Sequence, residues 1–316
     1  ERVRANPKRV VFAEGEEEKV LRAAIAFRNA GYGTPVLVGR EDRIMATAAA
    51  LGLPLPDGVE IHNASLSDSN RRYAEYLYER KQRQGFLFRD CQRAVNQDRH
   101  VFAACMVALG DADAMVTGTT RSYIETLKGV TMAIGKAPAP EGSEESVLFG
   151  LTMMLTRARG TVLIADTAIN PRPDAATLAA IATQSAAAAK RLGLEPRVAF
   201  LSYSTFGDPP GDRGEKVREA IRILDSMDVD FEYEGEMPPA LALNSEARAN
   251  YPFMRLTGDA NVLVMPAIHS AAISTRLVQS LGGATVIGPL LVGLEKSVQI
   301  VPLGAPVGEI INAATF

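Results

Sequence analysis

The residues able to do chemistry fall in short polar segments that follow apolar, strand-like runs. After "DADAMVTG" (111–118) come Thr119, Thr120, Arg121 and Ser122, leading into a helical pattern. Free backbone N–H groups at such a helix start attract anions, and a plain helix cap fits the same residues. After "TVLIAD" (161–166), Asp166 precedes Asn170 and Pro171, which set a tight turn. Asp166 reads as a base, a metal ligand or a turn former. After "RVAFLS" (197–202) lies a hydroxyl-rich loop of Ser202, Tyr203, Ser204 and Thr205, and Gly207 lets backbone approach a ligand closely. The last loop of this kind, "VPLGAPVG" (301–308), holds no nucleophile, acid, base or cation; Glu309 lies just beyond it.

Other reactive patterns are missing. His62, His100 and His269 are too scattered for a paired metal motif, and no glycine-rich phosphate loop precedes a Lys-Ser/Thr pair. "LGGATVIGP" (281–289) runs from helix to strand, the reverse of the dinucleotide fingerprint, and there is no Gly-x-Ser-x-Gly elbow. Cys91 and Cys105 exclude a disulfide framework and match neither zinc nor redox spacing, so they read as buried structural thiols. A net charge of −3 without a basic tract argues against nucleic acid as a bulk partner. No apolar run approaches the roughly 18 residues of a membrane span. The opening "ERVRANPKRV" lacks the order of a signal peptide, so a cytoplasmic location is expected. A start at Glu1 instead of Met suggests a segment of a larger chain.

The elements that must position these loops alternate between strand and helix patterns, which predicts an α/β fold with mostly parallel sheets. Strands are expected at "RVVFAEG" (9–15), "TPVLVG", "DADAMVTG", "TVLIAD", "RVAFLS", "NVLVMP" and "ATVIGP". Helices are expected over 16–29, 174–192, 214–226 and from Ser270, and Ser122 with Glu125 has capping-box spacing. The Pro-, Gly- and acid-rich stretch 135–146 marks a domain crossing. The Ala-rich helix 174–192 suits close packing on both sides, against a sheet and against another subunit.

The segments "PKRVVFAEGEEEKVLRAA", "DADAMVTGTTRS", "IADTAINPRPDAATLAAIA", "PRVAFLSYSTFGD", "GEM", "NVLVMP" and "LGGATVIGPLLVGLEKSVQI" resemble, in order, those of phosphate acetyltransferases. The chain is more similar still to the phosphotransacetylase-like C-terminal domain of the large bacterial NADP-dependent malic enzymes, above all over "CQRAVNQDRHVFAACMVALGDADAMVTG". The resemblance implies two three-layer α/β/α domains with an interdomain cleft for coenzyme A. The first spans 1–138 plus 290–316, and the second, residues 139–289, carries the dimer contact. In active members a Ser-Arg pair in the last cleft loop, an Asp and further arginines hold the acetyl carbonyl and phosphate. Here Pro302 and Leu303 stand at the Ser-Arg pair and Glu309 at the Asp, while Lys128 and Ser280 fall on two family arginines.

Pro302 has neither a hydroxyl nor a backbone N–H, and Leu303 cannot grip phosphate with a guanidinium fork. Two lost charge-assisted hydrogen bonds, at about 1.5–3 kcal/mol each, lower a rate on the order of 10²- to 10⁴-fold. The expectation is therefore a regulatory, oligomerising domain that holds acetyl-coenzyme A near Thr119, Arg121, Lys128, Asn170, Ser202, Tyr203, Ser204 and Thr205. It carries no metal or cofactor of its own. An upstream malic-enzyme domain with NADP and Mg or Mn converts malate to pyruvate. The expected partners are acetyl-coenzyme A, a second copy of the chain and that upstream domain. Two alternatives stand beside it: a working phosphate acetyltransferase in which Glu309, Lys128 and Arg121 compensate, and a purely structural dimerisation module.

Overall fold

The computed structural model describes residues 2–139, 146–282 and 284–316. The chain opens with helix α1 (Arg2–Ala5), strand β1 (Lys8–Phe12), α2 (Glu18–Asn29), β2 (Gly33–Val38), α3 (Glu41–Ala50) and β3 (Glu60–His62). There follow α4 (Asn70–Lys81), a 3-10 turn (Gln82–Gln84), α5 (Phe88–Gln97), α6 (Arg99–Ala108), β4 (Ala114–Thr117) and α7 (Tyr123–Ala133). Next come β5 (Phe149–Thr156), β6 (Gly160–Ala165), α8 (Ala175–Arg191), β7 (Arg197–Leu201), α9 (Asp212–Asp225) and β8 (Glu232–Met237). The chain ends with α10 (Pro239–Ala242), α11 (Ser245–Arg248), β9 (Val262–Val264), α12 (Ile268–Ser280), β10 (Thr285–Val292), β11 (Ser297–Ile300) and α13 (Val307–Thr315).

Two units result, Glu1–Gly135 with Leu294–Phe316, and Lys136–Gly293. The first crossing was expected within 135–146, of which 140–145 lie outside the described residues. The second crossing was expected at 289/290 and falls after Gly293, because β10 continues to Val292, paired with Phe149 of β5.

The first unit holds a sheet of order β11-β4-β1-β2-β3, parallel throughout. Side chains alternate across a strand. Val10, Phe12 and Leu37 therefore enter one core with Val20, Leu21, Ala24 and Phe27 of α2, Ile44 of α3 and Ile310 of α13. Each fully buried Phe or Leu is worth about 1.5–3 kcal/mol, and that burial is what holds α2 and α13 to the sheet. The intervening Val11, Val36 and Met115 are equally buried on the other face.

The second unit holds the order β10-β5-β6-β9-β7-β8, with β5 antiparallel to both neighbours and the remaining pairs parallel. Leu163, Phe200 and Val264 face Leu178, Ile181 and Ala182 of α8 and Val217 and Ile221 of α9. Ile164, Leu201 and Leu263 face Leu241 of α10 and Ala271 of α12. Both units are thus three-layer α/β/α sandwiches of mostly parallel sheet. No helix among the described residues is long and apolar enough to cross a membrane.

Candidate functional site

In the first unit the loops after β1, β4 and β11 meet at the carboxyl edge of the sheet. Gly118 has φ +115°, and a Cβ there would stand 2.4 Å from the Val301 carbonyl oxygen, so only glycine lets the two loops lie this close. Val301 N–H donates to the Thr117 carbonyl at 2.8 Å and Gly304 N–H to that of Thr119 at 3.1 Å.

The backbone N–H groups of this loop, expected to attract an outside anion, are already committed. The Glu14 carboxylate, 1% exposed, accepts from Gly118 N–H (2.8 Å), Thr119 N–H (2.9 Å), Thr120 N–H (2.8 Å) and the Thr120 hydroxyl (2.6 Å). Parallel pairing is the cause: Ala13 N–H donates to the Val116 carbonyl, which sets the next residue of that strand under the loop. Burial pushes the Glu14 carboxyl up, yet hydrogen bonds from Thr120 and Thr119 and the nearby His100 outweigh it and hold the group below the usual carboxylate range.

The neighbouring side chains are arranged just as tightly. Arg121 Nη1 lies 2.6 Å from Asp98, which also caps α6 by accepting from His100 N–H at 2.8 Å. Burial raises the Asp98 pKa, and the Arg121 hydrogen bond, His100 and the Arg121 charge bring it below its ordinary value. Arg99 reaches the Thr120 hydroxyl at 3.1 Å and Glu17 at 3.8 Å. The buried His100 shares a 2.6 Å hydrogen bond with the Thr117 hydroxyl. Ser122 caps α7 by accepting from Glu125 N–H at 3.4 Å, but the Glu125 carboxylate accepts from the Ser122 hydroxyl at 3.2 Å, so the expected capping box is half formed. Lys128 is exposed on α7 and makes no ion pair among the described residues.

Pro302 and Leu303 are exposed, Leu303 at 68%, on the loop tied to Thr119. They supply no hydroxyl or guanidinium there. Lys19, in the first turn of α2, brings one cation to the loop and donates to the Gly304 carbonyl at 2.8 Å. Glu309 lies in the first turn of α13, where burial pushes its carboxyl up. Ser280 is the exposed last residue of α12 and belongs to the second unit.

In that unit the Asp166 carboxylate organises its own loop. It accepts from Gly150 N–H (2.8 Å), Ala168 N–H (2.8 Å), Ile169 N–H (3.1 Å), Asn170 N–H (2.6 Å) and the Asn170 side-chain amide (2.6 Å). This geometry makes Asp166 a turn former instead of a base or metal ligand. The Asn170 amide also donates to the Leu148 carbonyl at 2.8 Å, which ties it to the start of β5. Among the described residues no group of three His, Cys, Asp or Glu side chains converges to hold a metal. Cys91 and Cys105 are buried and free, and burial pushes both thiols up.

The loop after β7 divides its four residues. Ser204 is buried: its hydroxyl donates to Glu236 at 2.8 Å and lies 3.0 Å from the Ser202 hydroxyl. Glu236 also accepts from Gly207 N–H at 3.0 Å and Arg218 Nη1 at 2.7 Å. Thr205 N–H donates to the Asp208 carbonyl at 2.8 Å, closing the turn. Tyr203 alone is largely open, at 62%. The sequence reading missed Glu14, Asp98, Lys19 and Glu236. An acid directly after a buried strand marks Glu14, and the alternation in "EYEGEM" marks Glu236 on an unrecognised strand.

Two three-layer α/β units, with their polar loops gathered at strand carboxyl ends, define the class of this chain. The profile of the phosphate acetyl/butaryl transferases matches residues 1–316, and the chain belongs to that family. It is 54% identical over 317 residues to an NADP-dependent malic enzyme of Rhizobium meliloti, a match covering 100% of this chain and 41% of the relative. A phosphate acetyltransferase of Thermoanaerobacterium thermosaccharolyticum is 32% identical over 318 residues, covering 100% of this chain and 93% of that one. The chain spans about two fifths of the length of the malic enzymes it matches. Among solved structures, a phosphotransacetylase from Streptococcus pyogenes superposes with a TM-score of 0.90 at 29% identity, over 99% of this chain and 96% of that one. The EutD phosphotransacetylase from Staphylococcus aureus gives 0.87 at 28% identity, over 99% and 96%.

Proposed function

We propose that this chain is the regulatory, oligomerising unit of a cytoplasmic NADP-dependent malic enzyme, that it binds acetyl-coenzyme A, and that it transfers no acetyl groups efficiently itself. The 54% identity to a malic enzyme supports the parent chain. The observation that carries the loss of transfer is the loop after β11, where a solvent-facing prolyl ring and an alkyl side chain occupy the positions of the family's Ser-Arg pair. In this reading malate oxidation, NADP and Mg or Mn belong to the part of the malic enzyme outside this chain. A homodimer through the second unit carries the signal. A tenfold to hundredfold inhibition requires only about 1.4–2.8 kcal/mol of differential affinity between two quaternary states.

Within the first unit Lys128 is an exposed candidate for ligand contact, and within the second unit Tyr203 is another. Thr119, Arg121, Asn170, Ser202, Ser204 and Thr205 act by fixing the loops that present it. One observation favours residual transfer chemistry, the approach of Lys19 to Gly304. An ammonium bound to a carbonyl lacks the two-pronged grip of a guanidinium, so it is a weak substitute. The test is formation of thioester from acetyl phosphate and coenzyme A. Turnover below roughly 1 s⁻¹ is expected, and turnover within the ordinary enzyme range overturns the proposal.

A further inference from the structure

Phe206 is the only non-glycine among the described residues with a positive φ, +48°, in a region where a bulky L side chain is strained. The turn holding it is fixed from several sides. Thr205 N–H and Asp208 N–H exchange bonds with each other's carbonyls at 2.8 and 3.1 Å. Phe206 N–H donates to the Glu236 carbonyl at 2.9 Å, and Gly207 N–H to the Glu236 side chain at 3.0 Å. Strain that is over-determined in this way directs attention to what the side chain reaches.

It reaches two more rings. The Phe206 centroid lies 4.8 Å from that of Phe253 at 72° and 5.5 Å from that of Tyr251 at 51°, while Tyr251 and Phe253 stand 6.0 Å apart at 90°. Phe206 and Tyr251 lean on the core beneath α10 and α12, whereas Phe253 is 63% exposed. Edge-to-face packing leaves ring faces unconsumed, and Tyr203, 62% exposed, belongs to the same loop. A strained backbone that gathers three rings and leaves the outermost open is suited to stacking a planar, electron-rich ring.

We propose that Phe206, Tyr251 and Phe253 form a stacking platform for the purine of acetyl-coenzyme A, with Phe253 in direct contact; this rests on the reading under Proposed function. Phe206 follows the hydroxyl loop Ser202–Thr205 directly in the chain, and Tyr251 and Phe253 are brought to it by ring packing. It reads the adenine and not the thioester.

Equilibrium binding of acetyl-coenzyme A and of S-acetylpantetheine, the same thioester without the nucleotide, tests this on the wild-type chain, Phe253→Ala and Phe253→Trp. Phe253 is exposed, so neither variant threatens the fold. Phe253→Ala is expected to weaken acetyl-coenzyme A about fivefold to about hundredfold, the range of base stacking on an aromatic ring, and to leave acetylpantetheine unchanged. The chain has no tryptophan. Phe253→Trp is therefore expected to give a lone indole signal that acetyl-coenzyme A quenches and acetylpantetheine does not. Equal weakening of both ligands, no weakening of either, or an unquenched indole at saturation overturns the platform alone. Failure of the wild-type chain to bind acetyl-coenzyme A overturns the proposed function and the platform with it.

Discussion

Glu14 and Thr120 are joined twice: one carboxylate oxygen accepts the Thr120 N–H at 2.8 Å and its hydroxyl at 2.6 Å. The other oxygen takes the N–H groups of Gly118 and Thr119. A loop whose position could serve an outside anion is thereby closed by an internal one. Removing the carboxylate leaves the buried Gly118 N–H and the half-buried donors of Thr119 and Thr120 without this partner. Glu14→Ala is expected to destabilise the first unit by about 2–5 kcal/mol in urea unfolding. A loss under about 0.5 kcal/mol, the range of an ordinary surface substitution, contradicts this role.

The same cluster fixes a pH dependence. Burial holds the His100 pKa below its ordinary 6.5, against the pull of Glu14 and Asp98. Between the folded and unfolded values the unfolded chain binds a proton that the folded chain refuses, so the stabilisation is complete above 6.5 and declines as pH falls through that value. Glu14 and Asp98, held below their ordinary 4.5 and 3.8, act in the same sense at lower pH: their contribution is present above those values and lost on acidification. Urea midpoints of the wild-type chain are expected to fall from about pH 7.5 to about pH 5.5, with a shallower fall in His100→Gln. Identical slopes contradict the assignment.

Ser204 and Lys128 are expected to part company when substituted. Ser204→Ala removes a buried hydrogen bond to Glu236, worth about 1 kcal/mol, and lowers Tm by about 2–4 °C. Lys128→Ala breaks no ion pair among the described residues, and is expected to leave Tm unchanged and to weaken acetyl-coenzyme A several-fold. Thermal unfolding with and without ligand separates the two, and a Tm loss in Lys128→Ala without change in affinity contradicts its role.

A double substitution in the loop after β11 gives a gain-of-function prediction. Pro302→Ser with Leu303→Arg returns a hydroxyl and a guanidinium fork to the loop after β11 and is expected to raise thioester formation at least about tenfold over the wild-type chain. Pro302→Ser alone is expected to do far less, because phosphate still lacks its clamp. Unchanged turnover in the double variant, with its fold intact, contradicts the reading of this loop as the place where transfer was lost.

The parallel strands β1, β2, β4, β6, β7 and β9 were legible because their apolar runs are short, β-branched and bounded by turn residues, as in "RVVF" and "TVLIA", whereas the three-residue β3 was not. Strands β5 and β8 were not. β5 follows the acid-rich crossing, and its Met-rich stretch fits helix or strand equally; β8 carries Glu234 and Glu236, which read as solvent-facing until arginines and a serine are brought onto them. The candidate site shows the same division. Residue types at 302 and 303 announce what the loop lacks, but only the folded chain shows that Glu14 fills the N–H groups of Gly118–Thr120, that Asp98 holds Arg121, and that Ser204 turns inward. Those facts depend on contacts between segments as much as about a hundred residues apart, as the separation of Glu14 from Thr120 illustrates.

Calorimetric titration of this chain with acetyl-coenzyme A tests the central claim most directly. A saturable heat with one ligand per chain, undiminished by phosphate because Leu303 has no guanidinium to grip it, is the predicted result. No detectable heat up to millimolar ligand contradicts the account and leaves the chain a structural module.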